Sequence, residues 1–148
     1  MAAAAALAIT PLREGDADAV AALWERCGLT RPWNDPRADI ALAMRGPNST
    51  VLVGRQADAI VATVMVGHDG HRGWVYYVAV DPDAQRGGLG RAIMAAAEDW
   101  LKAHGIAKAE LLIRAENDKV QRFYEAIGYT VEPRIVMSRW LDGRTPTP

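Results

Sequence analysis

The chain has 148 residues, of which 50% are hydrophobic and 24% charged, as is usual for one globular domain. Its 17 basic and 18 acidic residues give a formal net charge of -1, without the basic surplus typical of nucleic-acid-binding proteins. The one cysteine, Cys27, excludes an internal disulfide and favours the reducing cytoplasm. No stretch approaches the roughly twenty apolar residues of a membrane-spanning helix, so we expect a soluble protein.

The N-terminal third predicts a short strand and two helices. Leu7–Leu12 is β-prone, and Asp16 is the expected N-cap of the first helix, which ends at Gly28. Apolar residues recur at helical spacing between them, at Val20, Leu23, Trp24 and Cys27. Because Cys27 lies on this apolar stripe, a buried small hydrophobe is favoured over a nucleophile. Asp35-Pro36, a cap followed by proline, starts a second helix that ends near Gly46.

The rest of the chain alternates between β-prone runs and helical patterns. The predicted strands are Thr50–Arg55, Ile60–Val66, Trp74–Val80, Ala109–Ala115 and Ile135–Leu141. The predicted helices are Gly88–Ala103 and Asp118–Ile127, and Gly143–Pro148 is a predicted disordered tail. The order β-α-α-β-β-β-α-β-α-β predicts an α/β (α+β) fold of three layers with a mixed, mostly antiparallel sheet. We expect a single domain over residues 1–142.

A glycine-rich turn precedes the long helix and carries the strongest chemical signal. In Gln85–Arg91, glycines let a ligand approach the backbone closely, and the first helical turn presents N–H groups that favour an anion. Arg86 and Arg91 add positive charge. These features suit a pyrophosphate, although a tight corner without a ligand uses the same residues. The sequence lacks the Gly-Lys-Ser/Thr of a Walker-type loop.

Two segments resemble signatures of the GNAT N-acetyltransferases. Gln85–Gly90 resembles the family's Gln/Arg-x-x-Gly-x-Gly/Ala loop, and Asn117–Tyr129 resembles its Asn-x-x-Ala-x-x-x-Tyr-x-x-x-Gly-Phe/Tyr segment, with Val120 in place of the alanine. The element order resembles the GNAT fold over nearly the whole chain. The sequence is similar to the RimI-like branch, and more particularly to YpeA-type bacterial proteins. The resemblance implies a cytoplasmic N-acetyltransferase that uses acetyl-CoA and transfers the acetyl group directly to an amine.

The resemblance also implies a role for particular residues. Val78, Ala79 and Val80 would pair with the pantetheine arm, and a backbone N–H near Val78 at a bulge would polarise the thioester carbonyl. Residues that would hold the pyrophosphate are Arg86, Gly87, Gly88, Leu89, Gly90 and Arg91. Asn117 would bind near the pantetheine, and Tyr124 would protonate the departing thiolate. No metal is expected.

Several questions stay open at this stage. Leu112 occupies the position of a glutamate base found in some relatives, and no substitute is chosen among Glu110, Glu116, Tyr76, Tyr77 and His68. The acceptor is a protein N-terminus, a lysine or a small amine. The alternatives are a non-catalytic CoA-binding or sensory module and a structural domain without a ligand. His68 and His71 mark a solvated hairpin tip in preference to a metal site, Trp33 lines an acceptor pocket or packs on the second helix, and a homodimer is left open.

Overall fold

In the computed structural model, which describes residues 6–84 and 87–145, the chain forms two units that are considered separately. These units are Met1–Leu112 and Ile113–Pro148. The first contains β1 (Ala8–Pro11), α1 (Ala17–Arg26), α2 (Pro36–Met44), β2 (Ser49–Gln56), β3 (Ala59–His68), β4 (Gly73–Val80), α3 (Leu89–Ala103) and β5 (Ala109–Glu110). The second contains α4 (Asp118–Ala126). The mixed α/β fold class is confirmed, whereas the single domain over residues 1–142 stays a prediction.

The five strands found in the described residues form one sheet in the order β1-β2-β3-β4-β5. The first four are antiparallel neighbours, and β5 runs parallel to β4. Between β2 and β3, Ala57 and Asp58 have left-handed φ angles of 48° and 68°. A two-residue turn of this hand matches the twist of the strands that it joins.

Helices pack on both faces of this sheet. Side chains of α1 and α2 form one buried cluster with β2 and β4; its members include Val20, Leu23, Trp24, Ile40, Val51, Val53 and Ala79. Helix α3 contacts β2, β3 and β4 from the other face and buries its own apolar stripe, Leu89, Ile93, Met94, Ala97 and Leu101. The predicted three-layer arrangement follows from these two apolar stripes, each of which has a sheet face to cover.

Helix α2 begins as the sequence predicts. The Asp35 carboxylate accepts hydrogen bonds from the backbone N–H groups of Arg37 and Ala38, at 3.0 and 3.4 Å, and Pro36 occupies the first helical position. The side chain thereby satisfies donors that a helix leaves without partners. Within the described residues, no helix combines the length and apolar character needed to cross a bilayer.

Asp16 is the N-cap residue of α1, as the sequence predicts, but its side chain makes no capping hydrogen bond. The carboxylate instead accepts hydrogen bonds from the Arg13 backbone N–H and the Arg55 guanidinium of β2. The nearly buried Arg55 also lowers the pKa of this carboxylate.

Two strands predicted near the C-terminus also differ from the structure. The strand expected over Ala109–Ala115 is limited to Ala109–Glu110. The prediction of a strand over Ile135–Leu141 is wrong, since these residues form no strand and Ile135 is 88% exposed. A strand needs a neighbour for its backbone hydrogen bonds, and the described part of the second unit contains no such neighbour. The predicted disorder of the tail is untested, because residues 146–148 lie outside the described residues.

Candidate active site

Strand β4 contains a bulge beside the predicted cofactor-binding residues. Thr63 of β3 is opposite Ala79, whereas Met65 is opposite Tyr76, so β4 has one more residue than β3 over this stretch. The extra residue distorts the backbone, and Tyr77 has a left-handed φ of 52°, which is uncommon outside glycine. The bulge therefore lies directly before the residue whose N–H is expected to face a thioester carbonyl.

The bulge reverses the side-chain alternation of β4. In a regular strand Gly73 and Tyr77 would point to the same face of the sheet. Gly73 faces α3, because a Cβ at that position would lie 2.5 Å from the Leu101 side chain. Tyr77 instead stacks on Trp24 of α1, with ring centroids 3.7 Å apart. After the bulge, the side chains that regular alternation would direct toward α3 thus point toward α1 and α2.

One edge of β4 is open beyond its first two residues. Strand β5 pairs with Gly73 and Trp74 alone, so residues 75–79 have no strand partner on that edge within the described part of the first unit. This stretch contains Val78 and Ala79, two of the predicted pantetheine-binding residues, and Val80 ends the strand. An open strand edge presents backbone donors and acceptors that an extended ligand with amide groups can pair with.

The glycine-rich turn ends at the N-terminus of α3. Gly88 caps this helix with a φ of 73°, and in the described structure nothing lies within 4 Å of where a Cβ would be. The next residues, Leu89–Arg91, carry backbone N–H groups that a helix leaves without intrahelical partners, and the helix dipole favours an anion there. Arg91 is exposed in this turn. Arg86 lies outside the described residues.

In the second unit, Tyr124 and Asn117 both belong to α4. Tyr124 is 7% exposed, and burial raises its pKa to about 12, so its phenol keeps its proton near neutral pH. Its ring makes edge-to-face contacts with Phe123 and Tyr129. Asn117 caps the helix, its Oδ1 accepting a hydrogen bond from the Val120 N–H at 3.4 Å. The predicted roles of both residues in cofactor chemistry stay predictions.

Two of the candidate bases have other partners in the structure. Glu110 lies 3.6 Å from the Arg72 guanidinium, in an ion pair that joins β5 to the β3–β4 loop. The Nδ1 atom of His68 accepts a hydrogen bond from the Gly70 N–H at 3.1 Å. Neither contact prevents proton transfer, but each accounts for the position of its side chain without a catalytic role.

The two tyrosines among the candidate bases are weak proton acceptors. Burial raises the pKa of Tyr76, which is 47% exposed. Burial and the neighbouring Asp39 carboxylate raise the pKa of Tyr77 further. The Tyr77 hydroxyl donates a hydrogen bond to Asp39 Oδ2 at 2.7 Å. Near neutral pH both phenols are therefore hydrogen-bond donors, and neither is a ready base.

Asp39 is a charged residue beside the bulge that the sequence analysis does not single out. Nothing in the pattern around it marks it, because an aspartate in the first turn of a helix is ordinary. Its relation to Tyr77 depends on the bulge, which turns that ring toward α2.

Cys27 behaves as the sequence predicts. The side chain is half-buried, and its thiol donates a hydrogen bond to the Val80 carbonyl at 3.3 Å. Burial raises the pKa of Cys27, which keeps the group as a thiol. These contacts favour a packing role over a nucleophilic one.

The comparisons with known proteins show the family of the chain. Residues 17–129 match the Acetyltransferase (GNAT) family. An acetyltransferase of Pectobacterium atrosepticum is 40% identical over 129 residues, which cover 87% of this chain and 92% of that protein. The ribosomal-protein-S18-alanine N-acetyltransferase of Escherichia coli is 28% identical, with a TM-score of 0.71 over 83% of this chain and 77% of that chain. The aminoglycoside N-acetyltransferase AAC(6')-Iy in complex with CoA has a TM-score of 0.81 at 13% identity, over 95% of this chain and 99% of that chain.

The fold and the sequence matches define an acyltransferase. The chain belongs to the GNAT acetyltransferase family, as its two signature segments predict.

Proposed function

We propose that the chain is an acetyl-CoA-dependent N-acetyltransferase that transfers the acetyl group directly to an amine in a ternary complex. The observation that carries the proposal is the combination, in one unit, of a bulged strand with an open edge and a glycine-capped helix N-terminus after it. The CoA complex of the aminoglycoside acetyltransferase, which has the same fold, supports the choice of cosubstrate.

The turn before α3 suits the pyrophosphate of acetyl-CoA. Gly88 leaves open the space that a Cβ would fill, so phosphate oxygens can reach the backbone N–H groups of Leu89–Arg91. Gly87 and Gly90 flank it without side chains, and the exposed Arg91 adds positive charge. We assign the same role to Arg86, on the family signature alone.

The open edge of β4 suits the pantetheine arm. Its two amide groups can pair with the backbone of Val78–Val80 as an added strand would. In this arrangement the Val78 N–H, directly after the bulge, donates a hydrogen bond to the thioester carbonyl oxygen. Negative charge develops on that oxygen during attack, and a fixed donor stabilises it.

The reaction forms one C–N bond and breaks one C–S bond. The acceptor ammonium first loses a proton to solvent, and its nitrogen attacks the thioester carbon. As the C–S bond breaks, the sulfur receives a proton from Tyr124, and the second proton that the nitrogen releases passes through solvent to restore the Tyr124 phenol. Tyr124 is assigned this role on the family signature, and its phenol is protonated near neutral pH. Asn117 is proposed to bind the cosubstrate near the same point.

No covalent acetyl-enzyme is proposed. The one cysteine is held as a thiol beside β4, and the signature segments contain no serine or cysteine. The amine is a protein N-terminus, a lysine or a small amine; the relative from Escherichia coli, named for alanine of ribosomal protein S18, supports the first of these classes. We also propose a cytoplasmic location, on the low cysteine content. The homodimer stays a prediction for light scattering to test.

Thermal unfolding with and without acetyl-CoA tests the cosubstrate site. At a hundredfold excess over Kd, binding should add about 2.7 kcal/mol to the free energy of unfolding. Gly88→Trp should abolish this gain by filling the turn. Gly105→Trp is the matched control, since Gly105 follows the other end of α3, has a φ of 77° and is equally open. The absence of a shift in the wild type at millimolar acetyl-CoA would reject the proposal.

A non-catalytic CoA-binding module is the second candidate, because no residue in the described part of the chain has an evident role as base. It predicts the same thermal shift but no release of CoA thiol with any amine. Amine-dependent thiol release that Gly88→Trp abolishes and Gly105→Trp preserves would decide for the enzyme.

A further inference from the structure

The bulge in β4 is held by a hydrogen-bonded network that ends at a carboxylate. Trp24 stacks on the Tyr77 ring with an interplanar angle of 5°, and its Nε1–H donates to Thr63 Oγ1 at 2.8 Å. The Thr63 hydroxyl in turn donates to the Tyr77 carbonyl at 3.0 Å. Both the ring and the backbone of Tyr77 are therefore fixed, and so is the direction of its hydroxyl toward Asp39 of α2.

Asp39 carries a negative charge that no basic side chain balances within the described part of the chain. Arg37, its neighbour on α2, forms its ion pair with Asp18 at 2.8 Å. The carboxylate of Asp39 is half-buried and is held by the Tyr77 hydroxyl through one oxygen, Oδ2. A carboxylate can accept several hydrogen bonds, so Oδ1 can accept from a further group. A fixed, half-buried anion without a counter-ion is suited to bind a cation.

The position of this carboxylate relates it to the acceptor. Tyr77 directly precedes Val78, so Asp39 lies one tyrosine side chain and one hydrogen bond away from the bulge. It lies on the α1–α2 face of β4, whereas the open edge of that strand is the proposed cosubstrate site. We place the acceptor on the α2 side of the bulge, where the Asp39 carboxylate contacts the Tyr77 hydroxyl.

We infer that Asp39, oriented by Tyr77, binds a cationic group of the acceptor other than the amine that reacts. The inference rests on the proposed function. It narrows the acceptor class to molecules with a second positive charge, such as a diamine or a peptide N-terminus beside a basic side chain. Asp39 is a binding residue in this scheme, and Tyr77 is a positioning residue that acts through it.

Two matched pairs of probes test this inference. Cadaverine differs from pentylamine, and arginine amide from norvaline amide, by a second positive charge. Calorimetry with the CoA-loaded protein should give the charged member of each pair an affinity at least about tenfold higher, since a charge-assisted hydrogen bond is lost in the other. KM values from acetyl-CoA thiol release should show the same preference for any probe that is acetylated.

Asp39→Asn should remove the preference for the charged probes and leave the Kd for acetyl-CoA unchanged. Tyr77→Phe should reduce the preference several-fold, because the ring stays stacked while the carboxylate loses its donor. Asp39→Glu, which keeps the negative charge, should retain part of the preference for the charged probes. Asp99→Asn is the control for the loss of one acid, since Asp99 is a 79% exposed residue of α3.

The inference is overturned by equal affinities of the two members of each pair for the wild type. A preference that survives Asp39→Asn overturns it as well, and so does the absence of binding by all four probes. Failure of the proposed function is a separate result: the wild type would show no thermal shift with acetyl-CoA. A merely structural role for the Asp39–Tyr77 contact would lower the melting temperature and leave the probe preference intact.

Discussion

Thr63 joins helix α1 to the bulge, and Thr63→Val tests that connection. The hydroxyl accepts a hydrogen bond from the Trp24 indole and donates one to the Tyr77 carbonyl. Thr63 and Trp24 are both 0% exposed. Valine has nearly the same shape as threonine, so the substitution removes the two hydrogen bonds and leaves the packing largely as it was.

The expected loss of stability in Thr63→Val follows from these contacts. A buried donor left without a partner costs about 1–3 kcal/mol, and a lost hydrogen bond about 1 kcal/mol. We therefore expect the free energy of unfolding to fall by about 2–4 kcal/mol. For a chain of this size the melting temperature should fall by roughly 4–16 °C. Thr63→Ser, which keeps the hydroxyl and loses a methyl group, should cost only about 1 kcal/mol.

Urea denaturation followed by circular dichroism measures these costs, and a double-mutant cycle assigns them. In a Trp24→Phe background the indole N–H is absent, so Thr63→Val should cost at least about 1 kcal/mol less than in the wild type. Equal costs for the valine and serine variants would refute the reasoning. A valine cost that is unchanged by Trp24→Phe would show that the indole hydrogen bond contributes nothing.

Four further predictions concern ionisable groups. Asp16→Asn removes the charged partner of the nearly buried Arg55 and should cost about 2–4 kcal/mol in urea denaturation, whereas Asp18→Asn, at an 85% exposed carboxylate, should cost less than about 0.5 kcal/mol; equal costs would contradict the burial argument. Because Arg55 lowers the pKa of Asp16, this contribution should be intact above about pH 4 and lost as the pH falls through the lowered folded-state pKa, so the wild type and Asp16→Asn should converge in acid. Tyr124→Phe should slow thiol release about a hundredfold or more and preserve the thermal shift with acetyl-CoA; unchanged turnover would exclude Tyr124 as the acid. Since burial raises the pKa of Tyr124 to about 12, the free energy of unfolding should decrease as the pH rises from about 10 toward 12, and a tyrosinate absorbance titration should show one late-titrating tyrosine fewer in Tyr124→Phe.

The sequence predicts the helices well because each has strong local signals. Asp35-Pro36 marks the start of α2, and the apolar spacing over 89–101 marks the buried face of α3. The glycine turn is found for the same reason, since Gly88 is needed where φ is positive and a ligand can approach. These features depend on residues close together in the chain.

The features that the sequence does not predict depend on distant partners. The β-prone run at Ile135–Leu141 has the composition of a strand, but the described part of the second unit offers no neighbouring strand to pair with it. The sequence shows Asp16 at the start of a helix, but it does not show that Arg55, far along the chain, binds the Asp16 carboxylate. Asp39 becomes notable only through its hydrogen bond to Tyr77. In each case the outcome depends on whether two segments that are distant in the chain make a contact, and pattern analysis treats such segments separately.

The extra residue in β4 has a consequence for how this strand can change in evolution. Its first half is constrained by α3, through the contact of Leu101 with Gly73, and its second half by α1, through the stacking of Trp24 on Tyr77. Loss of one residue at the bulge would restore regular alternation and turn the side chain of Ala79, now 2% exposed, toward the α3 layer. Substitutions along β4 can therefore accumulate one at a time. A deletion at the bulge, in contrast, would exchange the positions that face α3 with those that face α1 and α2, over half of the strand and in a single step.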